Sequence, residues 1–566
     1  MKSASWLAAL GAVVLSSTSL AQPITWTGED GDWNDPSHWD PRPPANDDDV
    51  MIVAATVTLT GATPQLSGLT LEAGAHLVFK EPVRRSVDDC VTRLNARFIK
   101  VCNGSVITHA RNDYDVADYE ADGEVAWKLD GRVWITCEDL KIEAGSKIDV
   151  SNLGWYQHSA GGGAPGPGAP GVRKTFYTAA SHGGIGGYRH LETVNSTLAR
   201  NPVAMPYDEV ESPRLPGSSG CASSATATPL GSAGGGAVRI EASGEVKIDG
   251  EILANADFSK GSYYGASGGS VWISCETIAG SGRIAADGQR VDQGSSTHMR
   301  CGGGGRIALT YDVAAQNASA TPVPTLSFSV NSPAYTNGTA VTLGWADVGT
   351  LYFTDDRFLP ADGRFDGVSG SIRNGEIHCG AWTRWSPTAL HVENTRIRLG
   401  VGGRSAVTVN GPVTVGFAGR LDIGGDHEFV ESYTVSSGDA ANLLTHLRWT
   451  DGPMPSLTAA SLTIGNGGVL NCYPSSTNGL NAAERMAVSL TGDLTVGSGG
   501  AYSPYCHPTN GSVVKVSCAN CTIASGAKVD VRGHGFIGYL EQGLGPGMGM
   551  ALSGYGGAHY HPIAQI

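Results

Sequence analysis

Apolar and polar residues alternate along most of this chain, in short runs that end at glycine. VMIVAATVTLTG at 50–61 is one such run and AVRIEASGEVKI at 237–248 is another. A period of two is that of a β-strand with one face buried. Between the runs the glycines come in threes and fours, where a sandwich of hairpins would carry two-residue Asn-Gly or Asp-Gly turns.

Three segments within 234–312 resemble one another: GGGAVRIEASGEVKIDG, GGSVWISCETIAGSGRIAADG and GGGGRIALTYD. Arg239, Trp272 and Arg306 occupy aligned positions 33 and 34 residues apart, and a regular spacing of this size marks a stacked repeat. Val238, Ile240, Ala242, Val246 and Ile248 alternate in the first segment, and Val271, Ile273 and Cys275 in the second. If each strand turns one face inward and a glycine bends the chain into the next strand, successive coils join their inward residues into one core. The predicted fold is therefore all-β, a right-handed parallel β-helix with glycine-rich loops.

A longer duplication agrees with this reading. VWITCEDLKIEAGSKIDV at 133–150 aligns without gaps to VKVSCANCTIASGAKVDV at 514–531, 381 positions later. Glycine loops follow both copies, APGPGAPG and SHGGIGG after the first, GLGPGMGM and GYGGAHY after the second. The first copy continues into further coils, whereas the second stops at Ile566. A terminal repeat needs a cap, so the sequence reads as a fragment of a longer protein.

The start of the chain has another character. Lys2, the apolar run from Trp6 to Leu15 and Ser19-Leu20-Ala21 form an export signal with a small-residue cleavage site. The run is shorter than the roughly 20 residues that span a bilayer, and no later stretch is long and apolar enough to do so. The expected order is a signal peptide over 1–21, a tryptophan-containing β-module over 22–87 with Trp26, Trp33 and Trp39, and a glycine-rich repeat region over 88–312. Further strands or a linking β-module follow over 313–480, of which 313–345 reads as a linker or small β-module. The start of the second, truncated copy occupies 481–566.

Composition narrows the function classes. Glycine accounts for 79 of 566 residues and charged residues for only 16%, against usual shares of about 7% and about 25%. The net charge of −15 argues against nucleic acid, which is held by clustered Lys and Arg. Eleven cysteines suit an oxidising compartment without giving a framework. Cys518 and Cys521 form a lone CxxC, better read as a disulfide or free thiols than as zinc ligands, and Cys472 with Cys506 is a candidate bridge between neighbouring coils.

The succession SHGGIGG, YDEVESPRLPGSSG, GGGAVRIEASGEVKIDGEILANA, GGSVWISCETIAGSGRIAADG, GGGGRIALTY and GTLYFTDD resembles the glycine-rich repeat regions of large secreted or surface bacterial proteins. The resemblance covers roughly 88–360 and restarts near 481. It implies a β-helical, adhesin-like role and brings no catalytic motif with it. The tryptophan-rich start resembles the opening β-module of bacterial extracellular β-helix proteins. ILANADFSK and IAADGQR, around 254–262 and 285–300, depart from the commoner ISANGG turn of such repeats.

Candidate chemistry is sparse. Lys147 with Asp149, Lys247 with Asp249 and Lys528 with Asp530 share a strand face by their spacing, and stacked coils could align them into a strip. Polysaccharide lyases of the parallel β-helix class use a Lys or Arg base beside calcium-binding carboxylates, an analogy of fold alone. Solvent-facing ion pairs are the preferred reading, because a catalytic site is singular whereas these pairs recur with the repeat. His158, His182, His190, His559 and His561 lie near the glycine loops, and loop polarity is their default reading. Trp155, Tyr156, Phe176, Tyr177, Tyr188, Tyr263 and Tyr264 could stack on sugar rings or anchor loops over the coils. Asp30, Asp32 and Asn34 have the spacing of a calcium-loop start without its Gly and Glu, which favours turn capping.

The expected function is that of a secreted or cell-surface bacterial β-helical structural or adhesive protein, with polysaccharide or surface macromolecules as partners. An extracellular polysaccharide lyase or glycoside hydrolase of β-helix type is the alternative. No catalytic or metal residue is assigned and no cofactor is expected, calcium being the one ion left open.

Overall fold

The computed structural model describes residues 23–114, 128–157, 165–169, 179–187, 206–220, 232–257, 264–290, 301–332, 346–401, 406–424, 428–429, 447–448, 454–465, 467–475, 485–506 and 512–531. Residues 1–21, read from the sequence as an export signal, lie outside them. The described chain is mostly strand, with one α-helix, Val313–Ala318, and two 3-10 turns, Pro36–His38 and Asp356–Phe358. No helix among the described residues is long and apolar enough to cross a membrane.

The alternation in the sequence becomes alternation in burial. In Thr56–Thr60, Val57 and Leu59 are buried while the three threonines are partly open. Each such strand pairs in parallel with its equivalent one unit further along. Leu94–Val101 pairs with Val133–Ile142, which pairs with Ala237–Ala242 and Glu245–Ile248. Ser270–Cys275, Arg306–Tyr311, Thr350–Asp355 and Gly375–Ala381 then follow in turn. The result is one eighteen-stranded sheet, with companion sheets of eight, six and four strands. Among the described strands only three pairings are antiparallel, those joining Thr25 to Asp40, Lys128 to Ser86 and Glu428 to Arg448. The inward side chains merge into one apolar cluster from Ile24 to Tyr502.

The ladder crosses the sequence divisions at 87/88, 312/313 and 480/481, through the pairings of Leu66–Glu72 with Leu94–Val101, of Arg306–Tyr311 with Thr350–Asp355 and of Ser456–Ala459 with Met486–Leu490. Ser327–Ser329, within the stretch read as linker or module, continues the ladder from Arg283–Ala285. The duplicated segment keeps three strand positions in both copies. In the second they are Val514–Ser517, Cys521–Ile523 and Lys528–Val529, each on a separate sheet.

Two expectations are corrected. Arg239 does lie opposite Trp272, but Arg306 lies opposite Ser270 and Trp272 opposite Ala308, so the second step is two residues longer than the alignment implied. A slip of two leaves every side chain on its own face, and Ile307 and Leu309 stay buried. The second correction concerns Cys472, which carries a free thiol and is not bridged to Cys506. Its register partner is Pro504, which leaves Cys506 beyond the end of the strand. Cys518 and Cys521 are also free thiols.

The glycine clusters are more than turns. The runs at 234–236, 268–269 and 302–305 lie backbone against backbone with 183–184 and 217, linked by Gly217 N–H to Gly235 O, Gly268 N–H to Gly303 O and Gly183 N–H to Gly304 O. A Cβ on Gly235 would stand 1.9 Å from the Ala254 carbonyl oxygen, so the absent side chain is what permits this approach. Gly235→Ala is expected to cost about 1–3 kcal/mol in stability. Gly465→Ala, where a Cβ meets nothing within 4 Å, is expected to stay within about 0.5 kcal/mol of the parent. Chemical denaturation of both variants checks the contrast, and equal losses would refute the packing argument.

Candidate functional site

The three Lys–Asp pairs are ion pairs, with Nζ to Oδ2 distances of 2.7 Å for Lys147–Asp149, 3.7 Å for Lys247–Asp249 and 3.2 Å for Lys528–Asp530. They do not line up into a strip. Lys147 lies opposite Glu251, Lys247 opposite Lys141, and Lys528 opposite Ala501. The motif recurs, but on different strands of the unit. The row that does form is Thr70, Lys100, Lys141 and Lys247, with Glu143 accepting from Lys141 at 2.9 Å and facing Lys100 at 3.5 Å. These side chains are open to water, where such pairs are screened and weak.

Of the five histidines, His182 is described, and it is fully buried. Its Nδ1 lies 2.7 Å from the Gly268 carbonyl oxygen, its Nε2 lies 3.7 Å from Asp208 and 3.5 Å from Ser270 Oγ, and its ring stacks on Tyr207 at 4.5 Å. Ser, His and Asp thus meet, but not as a nucleophilic triad. That arrangement needs the carboxylate at Nδ1 and the hydroxyl at Nε2, whereas here both approach Nε2 and a backbone carbonyl occupies Nδ1. Burial pushes the His182 pKa down, against the pull of Asp208. Burial also opposes the Asp208 charge, yet His182 and the N–H groups of Leu215 and Arg214 hold its pKa below the ordinary value. Chemically the group is a clasp. It ties 181–187 and 206–220 to the strand that begins at Ser270, and Arg306 Nε adds a bond to the Tyr207 carbonyl at 2.8 Å.

Among the aromatic candidates, Trp155 is buried in a small cluster with Cys90 and Leu129 apart from the main core, Tyr264 is buried, and Tyr156 lies under the Arg111 guanidinium at 4.4 Å. His158, His190, His559, His561, Phe176, Tyr177, Tyr188 and Tyr263 lie outside the described residues. Asp32 accepts from Asn34 N at 2.8 Å and from Thr60 Oγ1 at 3.1 Å, and Asp30 accepts from Thr56 N at 2.7 Å. Each of these carboxylates therefore serves a local turn or strand end. Among the described residues no group of three or more His, Cys, Asp or Glu side chains is placed to hold a metal ion.

Two features were not visible in the sequence reading. Outward residues Arg93, Trp134, Arg239 and Trp272 alternate cation and ring: Arg93 sits 3.5 Å from the Trp134 centroid, and Arg239 lies 4.2 Å from Trp134 and 4.7 Å from Trp272. The indole N–H of Trp134 donates to Glu241 at 2.7 Å. A second row, Ser270, Arg306, Thr350, Glu376, Arg398, Asp422, Asn471 and Ser503, runs in continuous register, and every member is buried. Around Asp422 it thickens into a charge cluster. Arg396 Nε lies 2.9 Å, Arg420 Nε 3.1 Å and Arg398 Nη2 3.5 Å from the Asp422 carboxylate, while Arg398 Nη1 meets Glu376 at 2.6 Å and Arg396 meets Asp347.

No protein-family model matches the chain, and no curated protein and no solved structure matches it.

Proposed function

We propose that the parallel ladders are the faces of a right-handed parallel β-helix, and that the protein is an exported, cell-surface scaffold of structural or adhesive function, carbohydrate being one class of ligand for its loops. The observation that carries this reading is the parallel ladder that runs from Ile24 to Val529 among the described residues over one long apolar core. Parallel strands in one sheet demand crossovers, and crossovers of this kind are right-handed in about 98% of cases. The glycine packing and the polar rows support a rigid rod, since their charges are tied to neighbours on the rod itself. The likeness to glycine-rich repeat regions of secreted bacterial proteins points the same way.

The alternative, an extracellular polysaccharide lyase or glycoside hydrolase, has one observation on its side. Among the described residues the Arg396, Arg398 and Arg420 cluster with Asp347, Glu376 and Asp422 occurs once and does not recur with the repeat. Arg398 is buried and Arg396 and Arg420 are partly buried, and the carboxylates outweigh burial to hold Arg398 and Arg420 charged, which disfavours either as a base. The secreted protein incubated with acidic and neutral polysaccharides is expected to give no unsaturated or reducing-end products and to bind on a glycan array. Product that disappears in a variant of one residue would overturn the scaffold reading.

A further inference from the structure

The described part of the ladder differs at its two ends. At the N-terminal end, Trp39–Asp40 lies antiparallel on Ile24–Trp26, and Trp26, Trp33 and Trp39 are buried in edge-to-face contact. At the other end, Val514–Ser517, Cys521–Ile523 and Lys528–Val529 pair on one side with Met486–Leu490, Leu494–Val496 and Ala501–Pro504. On the other side they have no strand partner among the described residues.

The internal duplication shows what such an edge is built to take. In the first copy Val133, Ile135, Ile142 and Ile148 are 0% exposed, because Val238, Ile240, Ile248 and Ile252 lie opposite them in register. The same positions in the second copy are Val514, Val516, Ile523 and Val529. Here Val514 and Val516 are partly buried against the core, whereas Ile523 is 51% exposed, Val529 42% and, at the position matching Val150, Val531 60%. The strand motif is thus present twice, once covered and once partly exposed among the described residues.

We propose that the edge formed by 514–531 is an acceptor for one more parallel unit, a polypeptide segment of the glycine-led, alternating type seen at 237–253. The strand edges without a partner among the described residues supply main-chain hydrogen bonds and the exposed Ile523, Val529 and Val531 supply the side-chain register, as in strand addition to a sheet edge. The occupant has apolar residues at every second position and polar or charged residues between them. This assignment rests on the observed pairing alone and stands whether or not the loops bind carbohydrate.

The test uses the full chain and a fluorescent peptide of residues 234–253, GGGAVRIEASGEVKIDGEIL, read by anisotropy, with hydrogen exchange to locate the contact. Saturable binding with new amide protection within 514–529 is expected. A peptide carrying Val238→Asp, Ile240→Asp and Ile248→Asp is expected to bind at least about 100-fold more weakly, because it would bury charge against the inward face. Since only the peptide is altered, misfolding of the protein cannot mimic the loss. The proposal is overturned if the two peptides bind alike, if neither binds, if protection appears elsewhere, or if the 514–529 amides are already protected in the free protein, which would mean that residues 532–566 cover the edge.

Discussion

Replacing Asp422 by alanine is expected to lower the unfolding free energy by about 3–5 kcal/mol, the scale for breaking a buried ion pair from one side. The carboxylate lies within 3.5 Å of the guanidinium groups of Arg396, Arg398 and Arg420 and accepts from the Asn471 amide. Arg398 keeps Glu376 and Arg396 keeps Asp347 in the variant, but one buried and two partly buried cations then share two acids. Burial alone would raise the Asp422 pKa, and the three arginines pull it far below the carboxylate range instead. With its folded pKa depressed, the contribution is complete above about pH 4 and is lost as pH falls toward the folded value. The deficit of the variant is therefore expected to be constant from neutrality down to about pH 4 and to shrink below it. Asp249→Ala, which removes the partner of Lys247 from an open 3.7 Å pair, is the control and is expected to change stability by less than about 0.5 kcal/mol. Urea unfolding of the two variants side by side measures the contrast, and similar midpoints would show that the buried cluster contributes nothing special.

The strands themselves were legible because alternation reports directly which side of a pleated chain meets the core. Val238, Ile240, Val246 and Ile248 are all inward and buried, as their spacing requires. Register was legible only in part. The pairing of Arg239 with Trp272 could be read from matching neighbours, but the next step could not, since a shift of two residues keeps the same face and the pattern cannot register it. The glycine runs were readable as places without side chains. Whether glycine serves a bend or a close approach depends on what lies opposite, and for Gly235 that is the Ala254 carbonyl, nineteen positions further along.

The polar rows were hidden for a related reason. Arg306, Thr350, Glu376, Arg398 and Asp422 stand in one line, yet the chain between them varies widely in length, so no fixed period marks them. The Lys-x-Asp pairs are ion pairs, the reading their recurrence favoured, but the motif says nothing of their neighbours. It repeats in the sequence and was a fair candidate for a strip, but Lys147 and Lys247 fall on different strands. Local likeness fixes which residues share a strand face, while the lengths of the intervening loops decide which strands become neighbours.

Acid is expected to weaken the fold through His109, by up to about 3 kcal/mol between pH 7 and pH 4. This side chain ends the strand Val106–His109, opposite Phe79, and is completely enclosed. Its Nδ1 lies 2.7 Å from the Ala110 carbonyl oxygen and its Nε2 accepts from the Ala237 N–H at 3.2 Å, so the partners assign a neutral ring with the proton on Nδ1. A second proton would set N–H against N–H at the start of Ala237–Ala242. Burial pushes the pKa down to about 4, against about 6.5 in the unfolded chain. Between those values the unfolded state binds a proton that the folded state refuses, so the stability is complete above about pH 6.5 and is lost as pH falls toward 4. His109→Gln is expected to be less stable than the parent at neutral pH, with a gap that narrows as pH is lowered. A residual slope should survive in that variant, because burial also lowers the pKa of His182. Denaturation midpoints measured at intervals across this range give the answer, and parallel curves for the two proteins would remove His109 from the acid response. The carboxylates around the arginines act in a lower window, below about pH 4, so a loss already visible between pH 6 and 5 belongs to the enclosed histidines rather than to the Asp422 cluster.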